Sequence, residues 1–383
     1  MQSPVLFLIF NRPHYTEKAL AAIRKAKPAK LYIAADGPRK DKKGEKELCK
    51  QTRDLVLNSI DWECEVNTLF QKENLGCGLG VSAGISWFFE HEEQGIILED
   101  DIVANLSFFK FCDELLEKYK NDKNVWTICG LNYDKQGVSA FEESYSFIKT
   151  FHPWGWATWK DRWQHFSLNV KKIKENILDW YKNKLVKEHF TEVLWRMQSD
   201  HPKIHIDSWA YPFILISLSH KALHVFPKKN MIKNIGHFGT HINSKKLPLF
   251  GIKTYKLSVI KHPRNIKNNQ KLDNLWVAAY SLKENDKYPK IPDIKNKKIY
   301  LWGTGVYALR FLFLTRKYKI AGFLDKQLKE KCFGYKVKLP EQILSRKNKD
   351  YFIFIASIKY ADEMAKTCES YGLKLGVDFW SPD

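Results

Sequence analysis

Over the first third of the chain the hydrophobic pattern alternates between short continuous apolar runs and longer stretches with a helical repeat. Residues 4–10, 30–35, 63–70 and 95–98 are apolar runs of strand length, whereas 15–27, 41–59, 80–90 and 107–119 place apolar side chains three and four apart. Thr16 is placed to cap the first of these helices. Strands that are continuously apolar are buried on both faces. Strand–helix alternation at this spacing therefore predicts an α/β fold, a mainly parallel sheet flanked by helices. After residue 124 the pattern changes to shorter strands, aromatic loops and a basic helical stretch around 170–199.

A second, smaller α/β pattern begins near residue 297. Residues 298–302, 319–324 and 351–356 read as strands, with helices from 306 to about 317 and over 359–371. Residues 255–295 are rich in lysine and end in Tyr288-Pro-Lys-Ile-Pro-Asp293, which reads as a linker. The expected organisation is a main domain over 1–250, a basic segment over 251–295 and a small domain over 296–383.

Composition adds three constraints. Hydrophobic residues at 44% and aromatic ones at 14% supply sizeable cores and exclude wholesale disorder. The seven cysteines (49, 64, 77, 112, 129, 332 and 368) are scattered and odd in number, which argues for a reducing compartment and against a disulfide framework or a zinc site. No apolar segment approaches the ~18 residues that span a bilayer. Residues 5–10, followed by Asn11-Arg12, are too short for a signal-peptide core, so a cytoplasmic protein is expected. The net charge of +20, with lysines clustered at 171–187, 228–271 and 283–298, points to anionic partners: a nucleotide diphosphate, a lipid pyrophosphate or an anionic membrane face. A lysine-biased proteome would leave the same balance. No recognition motif for nucleic acid accompanies the charge, so no nucleic-acid partner is expected.

The candidate chemistry gathers at the ends of predicted strands. Phe10-Asn11-Arg12-Pro13, Ala35-Asp36-Gly37-Pro38-Arg39 and Glu99-Asp100-Asp101 each follow an apolar run. In a parallel sheet these ends lie side by side, on the edge where open α/β sheets bind ligands. Adjacent carboxylates repel one another, an arrangement that a divalent cation or several donors compensates; a solvated acidic turn is the plainer alternative. A hard cation, Mn²⁺ or Mg²⁺, held by one or two carboxylates completes its shell with water and substrate phosphates. Asp36 can accept from a uracil or ribose group, and Arg12 can hold a phosphate through two donors. The glycines of Glu73-Asn-Leu-Gly-Cys-Gly-Leu-Gly80 allow close backbone approach to a nucleotide, though such loops are common in structural turns.

Taken together the motifs resemble bacterial sugar-nucleotide transferases of the GT-A fold. The resemblance rests on residues 5–13, the Ala-Asp-Gly-Pro-Arg loop, Asn74-Leu-Gly76, Ile97-Leu-Glu-Asp-Asp101, Ser107-Phe-Phe109, Cys112-Asp-Glu-Leu-Leu116 and His152-Pro-Trp-Gly-Trp-Ala-Thr-Trp159, and it covers residues 1–245. The order is also similar to that of animal N-acetylglucosaminyltransferase I, whose acid triplet is likewise Glu-Asp-Asp. The resemblance implies a UDP-sugar donor and a Mn²⁺ (or Mg²⁺) held by Asp101. It implies that Glu99 and Asp100 contact the donor sugar and ribose, Asp36 the uracil ring, and Phe10, Arg12, Asn74 and Gly76 the nucleotide.

Inverting transfer also needs a base within reach of the acceptor hydroxyl. Ile206-Asp207-Ser-Trp209 resembles the family's Asp-Asp-Trp element and departs from it at Ser208; Asp207 is the candidate base, and the N-cap of a helix over 209–217 is its ordinary alternative. Trp154, Gly155 and Trp156 are expected near donor sugar and acceptor, while Trp159 and Trp163 read as core. In Asn234-Ile-Gly-His-Phe-Gly-Thr-His241, His241 or His237 is either a metal ligand or a structural hydrogen-bonding residue. The acceptor implied is a growing surface glycan, on a lipid carrier, with peripheral contact to an anionic membrane.

The C-terminal pattern Gly303-x-Gly305-x-x-Ala308 lies between a strand and a helix, and Asp325 ends the next strand. That context fits a dinucleotide-type fingerprint and resembles the small Rossmann-like domain of sugar-modifying enzymes, including some sugar acetyltransferases. Gly303, Gly305 and Asp325 are its candidate nucleotide-binding residues; an empty scaffold is the equal alternative. Two other functions stay open: an NAD-dependent oxidoreductase or epimerase built on this unit, and a non-catalytic nucleotide-sugar-binding protein.

Overall fold

A computed structural model of the chain describes residues 1–132, 142–168, 207–236, 252–273, 294, 297–303, 320–326, 331–332, 335–357 and 360–381. The described residues through Asp273 belong to one compact unit and those from Ile294 to a second. The basic helical stretch expected around 170–199 lies outside the described residues.

The first unit is built on an eight-stranded sheet. Its strands are β1 (Val5–Ile9), β2 (Lys30–Ala35), β3 (Glu65–Phe70), β4 (Gln94–Glu99), β6 (Val125–Cys129), β7 (Tyr145–Ile148), β8 (Trp156–Trp159) and β9 (Leu223–Pro227), in the spatial order β3-β2-β1-β4-β8-β6-β9-β7. Only β7 and β8 run against the rest. A two-stranded antiparallel ribbon, β5 (Ile102–Ala104) with β10 (Ile232–Asn234), sits beyond the carboxyl end of β4. The expected mainly parallel α/β sheet is therefore present. Ile96, Ile97 and Leu98 on β4 are almost wholly buried, each such side chain contributing about 1.5–3 kcal/mol.

The helices are α1 (Pro13–Ala26), α2 (Glu45–Asn58), α3 (Gly76–His91), α4 (Leu106–Tyr119), α5 (Lys160–Trp163) and α6 (Ala210–Ser219). Helix α1 begins two residues earlier than its apolar repeat suggests. Pro13 stands in its first turn, where a missing N–H costs nothing. Thr16 is not the cap, since its hydroxyl donates back to the Arg12 carbonyl at 2.9 Å. Helix α3 begins four residues earlier than expected, inside the glycine-rich segment. No described helix is long and apolar enough to cross a membrane.

Residues 252–273 correct the linker reading, and the first unit runs past residue 250. The Ser144 N–H donates to the Lys261 carbonyl at 2.8 Å, the Leu257 N–H to Ser107 Oγ at 2.9 Å, and the Asn269 N–H to the Phe147 carbonyl at 2.7 Å. The lysines of this stretch face solvent while its backbone is satisfied by the sheet and α4.

The second unit carries β11 (Lys298–Trp302), β12 (Ile320–Leu324), β13 (Lys331–Cys332), β14 (Tyr335–Lys338), β15 (Tyr351–Ile355) and β16 (Phe379–Trp380), ordered β13-β14-β12-β11-β15-β16, with β13 alone antiparallel. Tyr351, Ile353, Ile355, Trp302 and Leu324 form its core with α7 (Glu341–Leu344) and α8 (Ala361–Ser370).

Candidate functional site

A cavity of about 720 Å³ opens at the carboxyl edge of β1, β2 and β4. Phe10, Arg12, Asp36, Asn74, Gly76, Glu99, Asp100, Asp101, Trp154 and Asp207 all line it, drawn from segments up to two hundred residues apart. Parallel pairing of β2, β1 and β4 brings the three strand tips together, as the sequence pattern implied.

The acid triplet is arranged around one cation. Arg12 donates from Nε to Asp100 Oδ2 at 3.1 Å and from a terminal nitrogen to Asp100 Oδ1, and its other terminal nitrogen lies 3.1 Å from Asp101 Oδ2. Burial disfavours the charged guanidinium, but Asp100, Asp101 and Glu99 outweigh it and hold Arg12 above its ordinary value. Glu99 is pushed well up from the carboxylate range, first by burial and then by Asp101 and Asp100. Asp100 is pushed up by burial too, with Arg12 pulling it back. Three acids crowd beside one guanidinium, and the upward shifts of Glu99 and Asp100 answer part of that crowding by favouring their neutral forms. The other cavity-lining cation, Arg39, is committed to Glu45, with Nε 3.0 Å from Glu45 Oε2.

A divalent cation among these acids would relieve the same crowding. Among the described residues no group of three or more His, Cys, Asp or Glu side chains is placed to hold a metal alone. A divalent cation held here by Asp101 would need further oxygen ligands. Gly236 keeps this corner open: a Cβ there would run into the Asp101 carboxylate, and its N–H donates to Asn234 Oδ1 at 2.8 Å. His237 and His241 lie outside the described residues.

Asp36 has a different occupation from the one expected. Oδ1 accepts from the N–H groups of Gly37 at 2.8 Å and Leu75 at 2.9 Å, and Oδ2 accepts from Asn74 Nδ2 at 2.9 Å and the Gly76 N–H at 3.1 Å. Burial raises its pKa while these backbone donors pull it down. With four donors already on it, the carboxylate fixes the 74–76 turn instead of standing open to a uracil ring.

Asp207 is likewise held at this turn. It does not cap α6, the helix that follows it, which has no side-chain cap. Its Oδ1 accepts from the Gly78 N–H at 2.7 Å, so it satisfies a first-turn donor of α3. Gly76, at φ +85°, and Gly78 leave room for that carboxylate, because a Cβ at either would collide with it. Asp36 and Asp207 thereby supply from a distance the capping that α3 lacks locally.

The aromatic motif divides. Trp154 lines the cavity. Gly155, at φ +62°, is pressed against Ile232 outside it, where a Cβ would meet the Ile232 side chain. Trp156 corrects the expectation: it is fully buried on β8, stacked on Trp209 at 5.4 Å, and belongs to the core. Trp159 and Trp163 are core residues as expected. Sequence reasoning named Asn11, Arg39 and Asn234 inside its motifs without giving them a role, and it missed Gln71 in the lining and Glu45 behind it. Buried Glu45 accepts from Asn11 Nδ2 at 2.8 Å and from the Arg39 N–H at 2.7 Å. The available signal was an acid in the first turn of a helix directly after Gly44.

In the second unit Gly303 has φ +118°, and a Cβ there would lie 2.7 Å from the Ala356 carbonyl oxygen. The Asp325 N–H donates to the Lys338 carbonyl at 3.0 Å. Gly305 lies outside the described residues.

No family model matches the chain, and no curated protein matches it. Solved structures similar to it include HddC from Yersinia pseudotuberculosis, at 10% identity and a TM-score of 0.27 over 43% of this chain and 80% of that one. Mouse xyloside xylosyltransferase 1 has 11% identity and a TM-score of 0.33 over 58% and 84%. A UDP-glucose pyrophosphorylase complexed with UDP-glucose has 11% and 0.30 over 59% and 89%. Likeness at that level does not speak to activity.

Proposed function

We propose that the chain is a metal-dependent, inverting glycosyltransferase of GT-A type that moves a sugar from a UDP-sugar to a growing surface glycan. The observation that carries this reading is the cavity at the carboxyl edge of β1, β2 and β4, where Asp100 and Asp101 share the Arg12 guanidinium and Glu99 lines the cavity beside them. Asp101 would hold the Mn²⁺ or Mg²⁺, which when bound offsets the charge that develops on the departing diphosphate.

The chain's own residues supply the rest. Arg12 orients Asp100 and Asp101 and lies where it can donate to a phosphate. Trp154 closes one side of the cavity with an apolar face. Asp207 takes the proton of the acceptor hydroxyl as that oxygen bonds to the anomeric carbon and the bond to the diphosphate breaks. Asp36 and Asn74 keep the α3 turn in place beneath the donor. The charge of +20 suits an acceptor carried on an anionic lipid and a cytoplasmic enzyme working at the membrane face.

Calorimetric titration with UDP, GDP, CMP and NAD, with and without Mn²⁺, tests the reading on wild type and Asp101→Ala. UDP binding that requires Mn²⁺ and weakens by ~100-fold or more in the variant is the expected result. NAD binding alone, indifferent to the substitution, would move the chemistry to the second unit.

A further inference from the structure

The first unit carries a second cavity, of about 580 Å³, within the range of ligand pockets. It lies at the far edge of the sheet. Strand β6 shares the direction of β4, since both run against β8, and the cavity is lined by Asn121 to Asn124, just before the amino end of β6. The donor cavity, in contrast, faces the carboxyl end of β4.

Its wall is built and held. The segment around Pro263 and Arg264 is fixed by paired hydrogen bonds between Ser144 and Lys261, 2.8 Å each. His262 adds contacts from Nδ1 to Tyr145 Oη at 2.9 Å and from Nε2 to Glu114 Oε1 at 3.1 Å. The base of the cavity is the end of α4, whose carbonyls would ordinarily repel an anion. Here buried Arg162 donates to the carbonyls of Tyr119 at 3.1 Å, Lys120 at 2.9 Å and Asp122 at 3.0 Å, so that partial charge is neutralised from within.

Of the lining residues Lys118, Lys123 and Arg264 are basic and Asp122 is the acidic one, its Oδ1 accepting from both the N–H and the Nδ2 of Asn124 at 3.0 Å. Lys123 pairs with Asp161 at 2.5 Å. Lys118 and Arg264 have no ion pair among the described residues, and exposed Asn121 offers an amide.

We propose that this cavity binds an oligosaccharide carrying carboxylate or phosphate groups. Amides beside cations match hydroxyls beside acids. Its one lining aromatic, Tyr119, is buried with its hydroxyl on Tyr145, which leaves no platform for stacking bases. The site does not depend on the proposed transfer reaction, although an acidic acceptor chain would be a natural occupant.

Fluorescent oligogalacturonate, a phosphorylated maltooligosaccharide and neutral maltooligosaccharide are titrated at low salt, with duplex DNA and anionic vesicles as further arms. The proteins are wild type, Lys118→Glu/Arg264→Glu and Asp122→Asn. Either acidic saccharide should bind in the presence of saturating UDP, about tenfold more weakly in the double variant and more tightly in Asp122→Asn, while the neutral one does not bind. Which acidic saccharide binds names the acid. Unchanged UDP–Mn²⁺ titration of the variants shows that the fold and the donor site are intact. Absence of saccharide binding, equal binding by the double variant, or loss confined to DNA or vesicles would overturn the proposal.

Discussion

The two sheets are built alike and finish their carboxyl edges differently. In the second unit the strand tips satisfy one another: the Gly303 N–H donates to Leu324 O at 2.8 Å, the Ala356 N–H to Trp302 O at 2.7 Å, and the Asp325 N–H to Lys338 O. In the first unit the N–H groups of Gly37, Leu75, Gly76 and Gly78 turn to the side-chain carboxylates of Asp36 and Asp207, next to three more acids. Gathering like charges in a half-buried edge costs stability, and such arrangements concentrate where chemistry needs them. The first edge concentrates charged side chains around a cavity, whereas in the described part of the second the backbone of the strand tips pairs with itself.

The substitution expected to have the largest effect is Asp207→Asn. An asparagine oxygen still accepts from the Gly78 N–H, so the cap on α3 and the UDP affinity should survive within about threefold. Loss of the base should cut kcat by ~10²–10⁴. Steady-state kinetics with the identified UDP-sugar, set against a UDP titration of the same variant, separates the two roles. Full activity would reduce Asp207 to the cap and remove the catalytic contrast between the edges.

The two roles of Asp207 show where sequence reading works and where it stops. Strands β1, β2 and β4 were legible because both-face burial writes continuous apolar runs, and their tips were legible because acids cannot continue a core. The start of α3 was not legible, because its capping groups come from residues 36 and 207 and leave no local signature in 72–79. For the same reason the ordinary alternative offered for Asp207, beside the role of base, was a cap on its own helix rather than on α3. Trp156 read as a site residue because its motif neighbours Trp154, yet β8 is buried along its whole length. The stretch 252–273 read as a linker because composition reports side chains, whereas its backbone is what the sheet engages. Glu45 is nearly hidden from sequence, being one acid among many on a charged helix until Arg39 and Asn11 fold onto it.

Gly303→Val sharpens the comparison from the other side. A branched residue at φ +118°, with its Cβ against the Ala356 carbonyl, should cost about 1–3 kcal/mol. In a unit of this size that lowers Tm by ~10 °C. Calorimetry should show the loss in the transition of the second unit, with Mn²⁺-dependent UDP binding unchanged. A parallel fall in UDP affinity would mean that the second edge contributes to the donor site.

The smallest effect is a slope against pH, and it lies in the core behind the first edge. His224 is fully buried between Thr127 Oγ1, 2.8 Å from Nδ1, and Ser217 Oγ, 3.2 Å from Nε2, and burial pushes its pKa down to about 3. Unfolded, the ring titrates near 6.5. Between those values the unfolded chain takes up a proton that the folded chain refuses, so the contribution of His224 is complete above pH 6.5 and declines as pH falls, by up to about 1.4 kcal/mol per unit. His152, also pushed down to about 3 by burial, adds to the same slope. Glu99 and Asp273, whose pKa values burial raises, act with the opposite sign and lose stability as pH rises. The comparison must therefore be between variants. Urea unfolding of His224→Gln and wild type at pH 7.5, 6.5 and 5.5 should give a fixed packing penalty at the highest pH that shrinks as pH falls. A penalty that stays constant, or grows, would mean that His224 carries its proton in the folded protein and that the core behind the donor edge is wetter than its burial implies.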